Sequence, residues 1–378
     1  MATYQAEISH HATFPVCFTR DVFSCANPDL ASVCAAARPA LFFMESAIAA
    51  AFPGLAERAA AYFRAHGAPL AAPPVVMEGG EKCKDGPAAA FEVVAAIARH
   101  GLDRHSLVFA CGGGAFLDCV GFGAALAHRG VRLVRLPTTA LAQGDSAVGV
   151  KNGVDYLGEK NFIGTFAAPW GVVSDLAFLA ALPVPLRRDG LAEALKVAII
   201  KDAAFFAFLE GAAPRIAAGE LPPLEEAVMR SARLHSEHIA ENRDPFEMGS
   251  ARPLDFGHWS AHWLEAASGY QTRHGEGVAL GIALDSIIAK GLGMLSPEEC
   301  ARVLSALRAG GFALWHPLFA DPGRLLAGVE QFRRHLGGEL CLTLPDGLGR
   351  RREVHAMPGE RVTTALGELR AFAAQVSS

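Results

Sequence analysis

Apolar positions in the first half of the chain fall in short unbroken runs, separated by longer stretches with helical spacing. Ala40–Met44, Pro74–Met77, Ser106–Cys111 and Val131–Leu136 read as strands buried on both faces. Ala47–His66, Phe91–His100 and Phe116–Ala127 read as the helices between them. This alternation predicts a doubly wound parallel sheet with helices on its faces. After Pro183 the strand-like runs stop. Leu191–Ala212, Leu224–Glu241, His258–Ser268, Gly275–Leu292, Pro297–Ala309 and Pro322–Arg334 all carry helical periodicity, so a mainly α-helical second domain is expected. The expected division is 1–183 and 184–378, with the boundary near Leu182–Arg188, a stretch with two prolines and two arginines.

Length supports two domains, since 378 residues exceed what a single core usually holds together. A chain with 51% hydrophobic and 19% charged residues is globular rather than disordered. A net charge of −5 gives no reason to expect nucleic acid or an anionic membrane as a partner. Leu107–Ala127 is nearly uncharged and about long enough to cross a bilayer, yet it contains Gly112-Gly113-Gly114 and Asp118. Those residues suit a strand, a turn and a helix. The eight cysteines include no C-x-x-C pair, and no secretory signal pattern precedes them, so they read as reduced thiols of a cytoplasmic protein.

Four clusters could carry chemistry. Gly112-Gly113-Gly114, with Asp118 beyond it, sits between a strand and a helix, where glycines admit a pyrophosphate to a helix N-terminus or simply make a tight turn. Pro137-Thr138-Thr139 follows the next strand and leads into Asp145-Ser146, Lys151-Asn152 and Lys160-Asn161, a loop that is either a ligand site or solvated polar chain. Glu193 and Lys196, three apart on a helix, make either a surface ion pair or part of a site. Finally, His258, His262 and His274 fall within seventeen residues. Two or three imidazoles with one carboxylate suit a zinc ion with an open position, against the alternative of structural histidines.

Taken in order from about Gly79 to Gly281, these motifs resemble the dehydroquinate-synthase family, the sugar phosphate cyclases. The family's G-E-x-x-K stands here as Gly80-Glu81 to Lys84, and its A-E-x-x-K as Ala192-Glu193 to Lys196. Its arginine-glycine is Arg129-Gly130, its G-H-x-x-x-H runs from Gly257 to His262, and its H-G-E is His274-Gly275-Glu276. The resemblance implies an N-terminal doubly wound parallel-sheet NAD-binding domain followed by an α-helical metal-binding domain. Zinc, or cobalt, would be held by Glu193, His258 and His274, with His262 not a ligand. NAD would be held by Glu81, Lys84, Gly113, Gly114, Asp118, Thr138, Thr139 and Lys160, with Glu45 on a ribose. Asp145, Lys151, Asn161, Lys196 and His262 would contact substrate, and Arg129 would reach the phosphate of a neighbouring subunit's substrate, implying a homodimer.

The chain departs from dehydroquinate synthases where these bind a carboxylate. The family arginine falls on Ala251, the asparagine on Asp255 and an upstream lysine near His235. An aspartate and lost cations repel a carboxylate, so the expected substrate is a neutral-headed seven-carbon ketose phosphate such as sedoheptulose 7-phosphate, unless Arg252 supplies the missing charge. The stretch from Arg252 to Trp259 resembles the cyclase branch found in the ebo operons, and valiolone-type synthases share the aspartate. The implied activity is phosphate elimination followed by intramolecular aldol closure. The alternatives are 3-dehydroquinate synthase itself, a net NAD oxidoreductase similar to glycerol dehydrogenases, and a non-catalytic binding protein.

Overall fold

The computed structural model describes residues 3–7, 11–34, 38–68, 70–241, 246, 253–335 and 339–375. It contains two compact units, Met1–Pro137 with Val150–Asp175, and Thr138–Gly149 with Leu176–Ser378. The chain therefore passes between the units more than once.

The first unit contains strands β1 (Val16–Thr19), β2 (Ala40–Glu45), β3 (Val75–Met77), β4 (Leu107–Gly112), β5 (Arg132–Pro137), β6 (Lys151–Tyr156), β7 (Glu159–Phe166) and β8 (Gly171–Asp175). Its helices are α1 (Asp29–Val33), α2 (Ser46–Ala51), α3 (Leu55–Ala65), α4 (Ala88–Arg99) and α5 (Gly114–Leu126). Six strands form one sheet in the order β1-β8-β5-β4-β2-β3, and every neighbouring pair is parallel. β2 and β4 are buried throughout, which is why their sequences are unbroken apolar runs. Phe42, Phe63 and Phe109 pack ring against ring between this sheet and α3. The apolar stretch 107–127 divides into β4 and α5, and no helix among the described residues is long and apolar enough to cross a membrane.

Three parts of the first unit differ from the patterning. The single helix expected over Ala47–His66 is two, because Pro53 cannot donate a helical hydrogen bond and Gly54 turns back at φ 82°. The loop expected between Lys151 and Asn161 is instead part of an antiparallel hairpin, β6–β7. Its second strand is largely exposed, and its apolar residues do not alternate with polar ones, so it carries no strand pattern. The short strands β1 and β8, four and five residues long, were also hidden. They gain strand character from pairing with each other and, for β8, with β5.

The second unit contains α6 (Ala140–Gly144), α7 (Val184–Lys201), α8 (Ala203–Ala217), α9 (Leu221–Glu241), α10 (His258–Ala267), α11 (His274–Gly291), α12 (Pro297–Ala309) and α13 (Pro322–His335). A small hairpin, β9 (Leu342–Pro345) and β10 (Arg351–Val354), and α14 (Gly359–Ala374) follow. The helix expected over Leu191–Ala212 breaks at Asp202, which adopts extended geometry and caps α8 by accepting from the Phe205 N–H at 2.9 Å. Patterning assigns nothing beyond Arg334, where β9, β10 and α14 form. From Asp189 to Ile200 every residue of α7 is buried.

α10 and α11 meet at two glycines. Gly257 has φ 79°, and a Cβ added to Gly281 would lie 1.9 Å from the Gly257 carbonyl oxygen. Gly281→Ala is expected to cost about 1–3 kcal/mol by overpacking and to lower the unfolding midpoint by roughly 2–10 °C. Gly291→Ala, on the same helix, would place its new methyl 3.8 Å from nothing but an arginine tip, and should leave the midpoint nearly unchanged in calorimetry.

Candidate functional site

In the first unit the glycine turns are organised by one carboxylate. Glu45 ends β2 with 9% exposure, and it accepts from the Gly80 N–H at 3.0 Å and the Gly113 N–H at 2.6 Å. A Cβ on Gly79 would sit 2.2 Å from the Glu45 side chain, and one on Gly112 would sit 2.8 Å from Oε2. These two glycines make room for Glu45, while Gly113 and Gly114 open α5. Both Glu45 oxygens thereby brace the backbone of the two turns.

Beside that brace, the Lys84 ammonium donates to Asp118 Oδ2 at 2.8 Å and to Asn161 Oδ1. Burial alone would lower the Lys84 pKa, but the Asp118 charge raises it above the ordinary lysine value, so the group stays charged. Asn161, on β7 at φ 54°, is thereby grouped with Lys84 and Asp118, and Lys160 pairs with Glu81 at 3.6 Å. Lys151 is exposed at the start of β6, and its carbonyl accepts from Arg135 at 3.1 Å. Arg129 is exposed after α5, in a left-handed pair with His128.

In the second unit three elements converge. Glu193 from the middle of α7, His258 from the first turn of α10 and His274 from the first turn of α11 each offer a ligand atom, all within 4.8 Å of one another. Glu193 Oε1 lies 3.5 Å from His258 Nε2 and 3.1 Å from His274 Nε2. The other ring nitrogens are engaged: His258 Nδ1 with the Phe256 carbonyl at 3.1 Å, and His274 Nδ1 with Glu265 at 2.7 Å. Carbonyl and carboxylate partners favour protons on Nδ1, which leaves both Nε2 atoms as ligand-type lone pairs beside a carboxylate oxygen. This donor set fits a divalent ion. Among the protein groups alone, burial would lower the His274 pKa, but hydrogen bonds to Glu193 and Glu265 push it up to about 10. An ion on the same three atoms would displace that proton.

Lys196 is 2% exposed and lies 2.5 Å from Glu193 Oε2 and 3.6 Å from Asp145 Oδ1. Burial works against its charge, but Asp145 and Glu193 raise its pKa well above the ordinary value. Burial likewise opposes ionisation of Glu193, yet Lys196 and His258 hold it well below the usual carboxylate range. Asp145 is lowered to about 2 against its burial, by Lys196 and by His235, whose Nδ1 is 2.7 Å away. His262 stands outside the donor triad, with its ring centre 5.3 Å from that of His258. Burial, and after it the neighbouring His258, lower its pKa to about 3, so it is a neutral imidazole at physiological pH. Asp255, half-buried in the turn before α10, acts electrostatically on both Lys196 and His262. Thr138 is buried, and the Thr139 hydroxyl accepts from the Ala142 N–H at 3.1 Å as the cap of α6. Arg252 and Ala251 lie outside the described residues.

Sequence reasoning missed Glu265 as the partner of His274. Its signal is spacing: Glu265 follows His258 by seven positions, two helical turns, on the same face of α10. His235 stands where a family lysine was expected, but its engagement with Asp145 depends on how α9 packs and has no local signature.

Comparison with known proteins matches residues 74–188 to the model of the 3-dehydroquinate synthase N-terminal domain and 190–331 to that of the C-terminal domain. A 3-dehydroquinate synthase of Ruegeria pomeroyi is 39% identical over 70% of this chain and 73% of its own length. The 2-epi-5-epi-valiolone synthase of Streptomyces glaucescens is 37% identical over 78% of this chain and 76% of its own. Among solved structures, the 2-epi-5-epi-valiolone synthase ValA of Streptomyces hygroscopicus, with NAD+ and Zn2+ bound, aligns with a TM-score of 0.89 and 29% identity, over 98% of this chain and 100% of that one. The chain belongs to the 3-dehydroquinate synthase family of phosphate-eliminating cyclases, which are carbon–oxygen lyases.

Proposed function

We propose that this enzyme cyclises a phosphorylated seven-carbon ketose with an uncharged head, such as sedoheptulose 7-phosphate, using NAD and one divalent ion, zinc or cobalt. The observation that carries the reading is the convergence of Glu193, His258 and His274 beside the charged chain Lys196–Asp145–His235. Those three residues would hold the ion. Glu81, Lys84, Gly113, Gly114, Asp118, Thr138, Thr139 and Lys160 would hold the dinucleotide. The first turn of α5 supplies backbone N–H groups to a pyrophosphate, and Glu45 fixes the two turns that frame it. When bound, the ion polarises a substrate oxygen and the dinucleotide takes up and returns one hydride, so the net reaction is phosphate loss and ring closure without net redox change.

The chain's own groups have separable tasks. Lys196 is held protonated, so it donates to a developing oxyanion rather than taking a proton. His262 is neutral and, with a pKa of about 3, a weak base, so it serves as a hydrogen-bond partner of the substrate. Asp145 is ionised and accepts from a substrate hydroxyl. Asp255 offers a second acceptor at the position where dehydroquinate synthases carry an asparagine. The imidazole at 235, which replaces a lysine, is already committed to Asp145. A hydroxyl or hydroxymethyl head donates to such groups, whereas a carboxylate is repelled. Lys151 and Asn161 would contact the substrate, and Arg129 would reach the phosphate bound by a neighbouring subunit of a cytoplasmic homodimer. A second reading, 3-dehydroquinate synthase itself, is favoured by the name of the Ruegeria relative and needs Arg252 to supply the missing cation.

The expected outcomes concern the ion, the cofactor and the substrate in turn. Glu193→Gln, His258→Ala and His274→Ala should each come through dialysis with little divalent ion and little phosphate release. His262→Ala should keep its ion, by elemental analysis, while phosphate release falls by at least about tenfold, the scale of a lost substrate hydrogen bond of roughly 1.4 kcal/mol. In calorimetry NAD should bind more tightly than NADP, and Glu45→Ala should weaken NAD at least about tenfold, roughly 1.4 kcal/mol; tighter NADP binding would overturn the cofactor reading. Sedoheptulose 7-phosphate should exceed the acidic seven-carbon substrate of dehydroquinate synthase by at least about tenfold in kcat/KM. Asp255→Asn combined with Ala251→Arg should narrow that gap, and efficient dehydroquinate formation by the unaltered enzyme would establish the second reading instead.

A further inference from the structure

Asp285 lies on α11, three turns beyond His274, and is 1% exposed. Its two oxygens reach across to the start of α10. Oδ1 accepts from the Trp259 indole N–H at 2.8 Å and Oδ2 from the Gly257 backbone N–H at 3.0 Å. These donors belong to the residues immediately before and after His258. One turn earlier on α11, Gly281 is pressed against the Gly257 carbonyl. The chain around His258 is therefore gripped by α11 at two heights, and α11 is the helix that begins with His274. His258 Nδ1 is fixed within the same segment by the Phe256 carbonyl.

For stability alone a carboxyl is a poor choice here. Both partners are neutral, no charged group among the described residues pairs with it, and burial pushes its pKa up to about 7. An apolar side chain of similar volume fills such a space with no desolvation cost. What an apolar residue cannot do is accept two hydrogen bonds in fixed directions from the two sides of one histidine.

We propose that Asp285 is a positioning residue for the ion site: by tying Gly257 and Trp259 to the helix that carries His274, it sets the place of His258 relative to Glu193 and His274. The proposal rests on the reading of those three residues as ligands. It concerns the residue's geometry and not its activity in any chemical step.

The test is ion affinity, measured on full-length protein stripped of metal and titrated with Co2+ by visible absorption and with Zn2+ by competition against a chromophoric chelator. Asp285→Asn keeps the volume but presents an amide N–H2 to one of the two donors. It should weaken both ions by roughly 10–100-fold, the usual effect of losing a group that orients a ligand, and should alter the Co2+ absorption bands. Trp259→Phe removes one donor and leaves the Gly257 bond, so a smaller loss of about threefold or more is expected; it also serves if Asp285→Asn fails to fold. Ile288→Ala, buried further along α11, should lower the unfolding midpoint while leaving both affinities within about twofold. Affinities in Asp285→Asn and Trp259→Phe within twofold of the unaltered protein overturn the proposal alone. So does a loss in Ile288→Ala that matches theirs at equal destabilisation. Failure of the unaltered protein to bind either ion overturns the ligand reading and the proposal together.

Discussion

A carboxylate that stays ionised at 1% exposure in the middle of a helix needs opposite charge and hydrogen-bond partners brought to it, because an uncompensated buried charge costs several kcal/mol. Glu193 is that carboxylate. Lys196 supplies a full positive charge one turn along α7, and His258 and His274 supply ring nitrogens from the first turns of two other helices. The rest of the second unit follows from that demand. From Leu191 to Ile200 α7 is buried and apolar except at Glu193 and Lys196, and α10 and α11 approach it closely enough for their histidines to reach Glu193. The glycine contact between 257 and 281 permits the approach between those two helices, and Glu265 and Asp285 fix the first turns that carry the histidines.

The first unit shows the same economy with a different group. Glu45 collects backbone N–H donors from the two glycine turns on either side of the β2 end, and Lys84 collects the side chains of Asp118 and Asn161. The turns are thus set in shape by the protein's own hydrogen bonds. Such preorganisation reduces what binding must spend on ordering a loop. In both units, charged residues that resemble surface features in the sequence are structural supports for a site.

The parallel sheet and the helical second half were legible from the chain alone, because strands buried on both faces must be apolar throughout and amphipathic helices must repeat their apolar positions every three to four residues. Elements that draw their stability from pairing or capping were not legible. β1 and β8 are too short to show a period, β7 is mostly exposed, and the break at Asp202 is a capping event inside an apolar stretch. Local chemistry such as Pro53-Gly54 was present in the sequence but was outweighed there by the continuous alanine-rich pattern around it.

The candidate site divides in the same way. Which residue types could hold an ion or a phosphate, and their order along the chain, were determined by the sequence, and their resemblance to a family followed from that order. Whether Glu193 and Lys196 form a surface pair or a buried one was undecidable from an i, i+3 spacing, since that spacing fixes a shared helical face and not what covers it. Tertiary packing decided it by covering that face completely. Packing also decided that His274 rather than His262 stands next to Glu193, although His262 is the neighbour of His258 one turn along the same helix. The third group of the cluster comes from a different helix, and among the described residues the close approach of α11 to α7 and α10 supplies it.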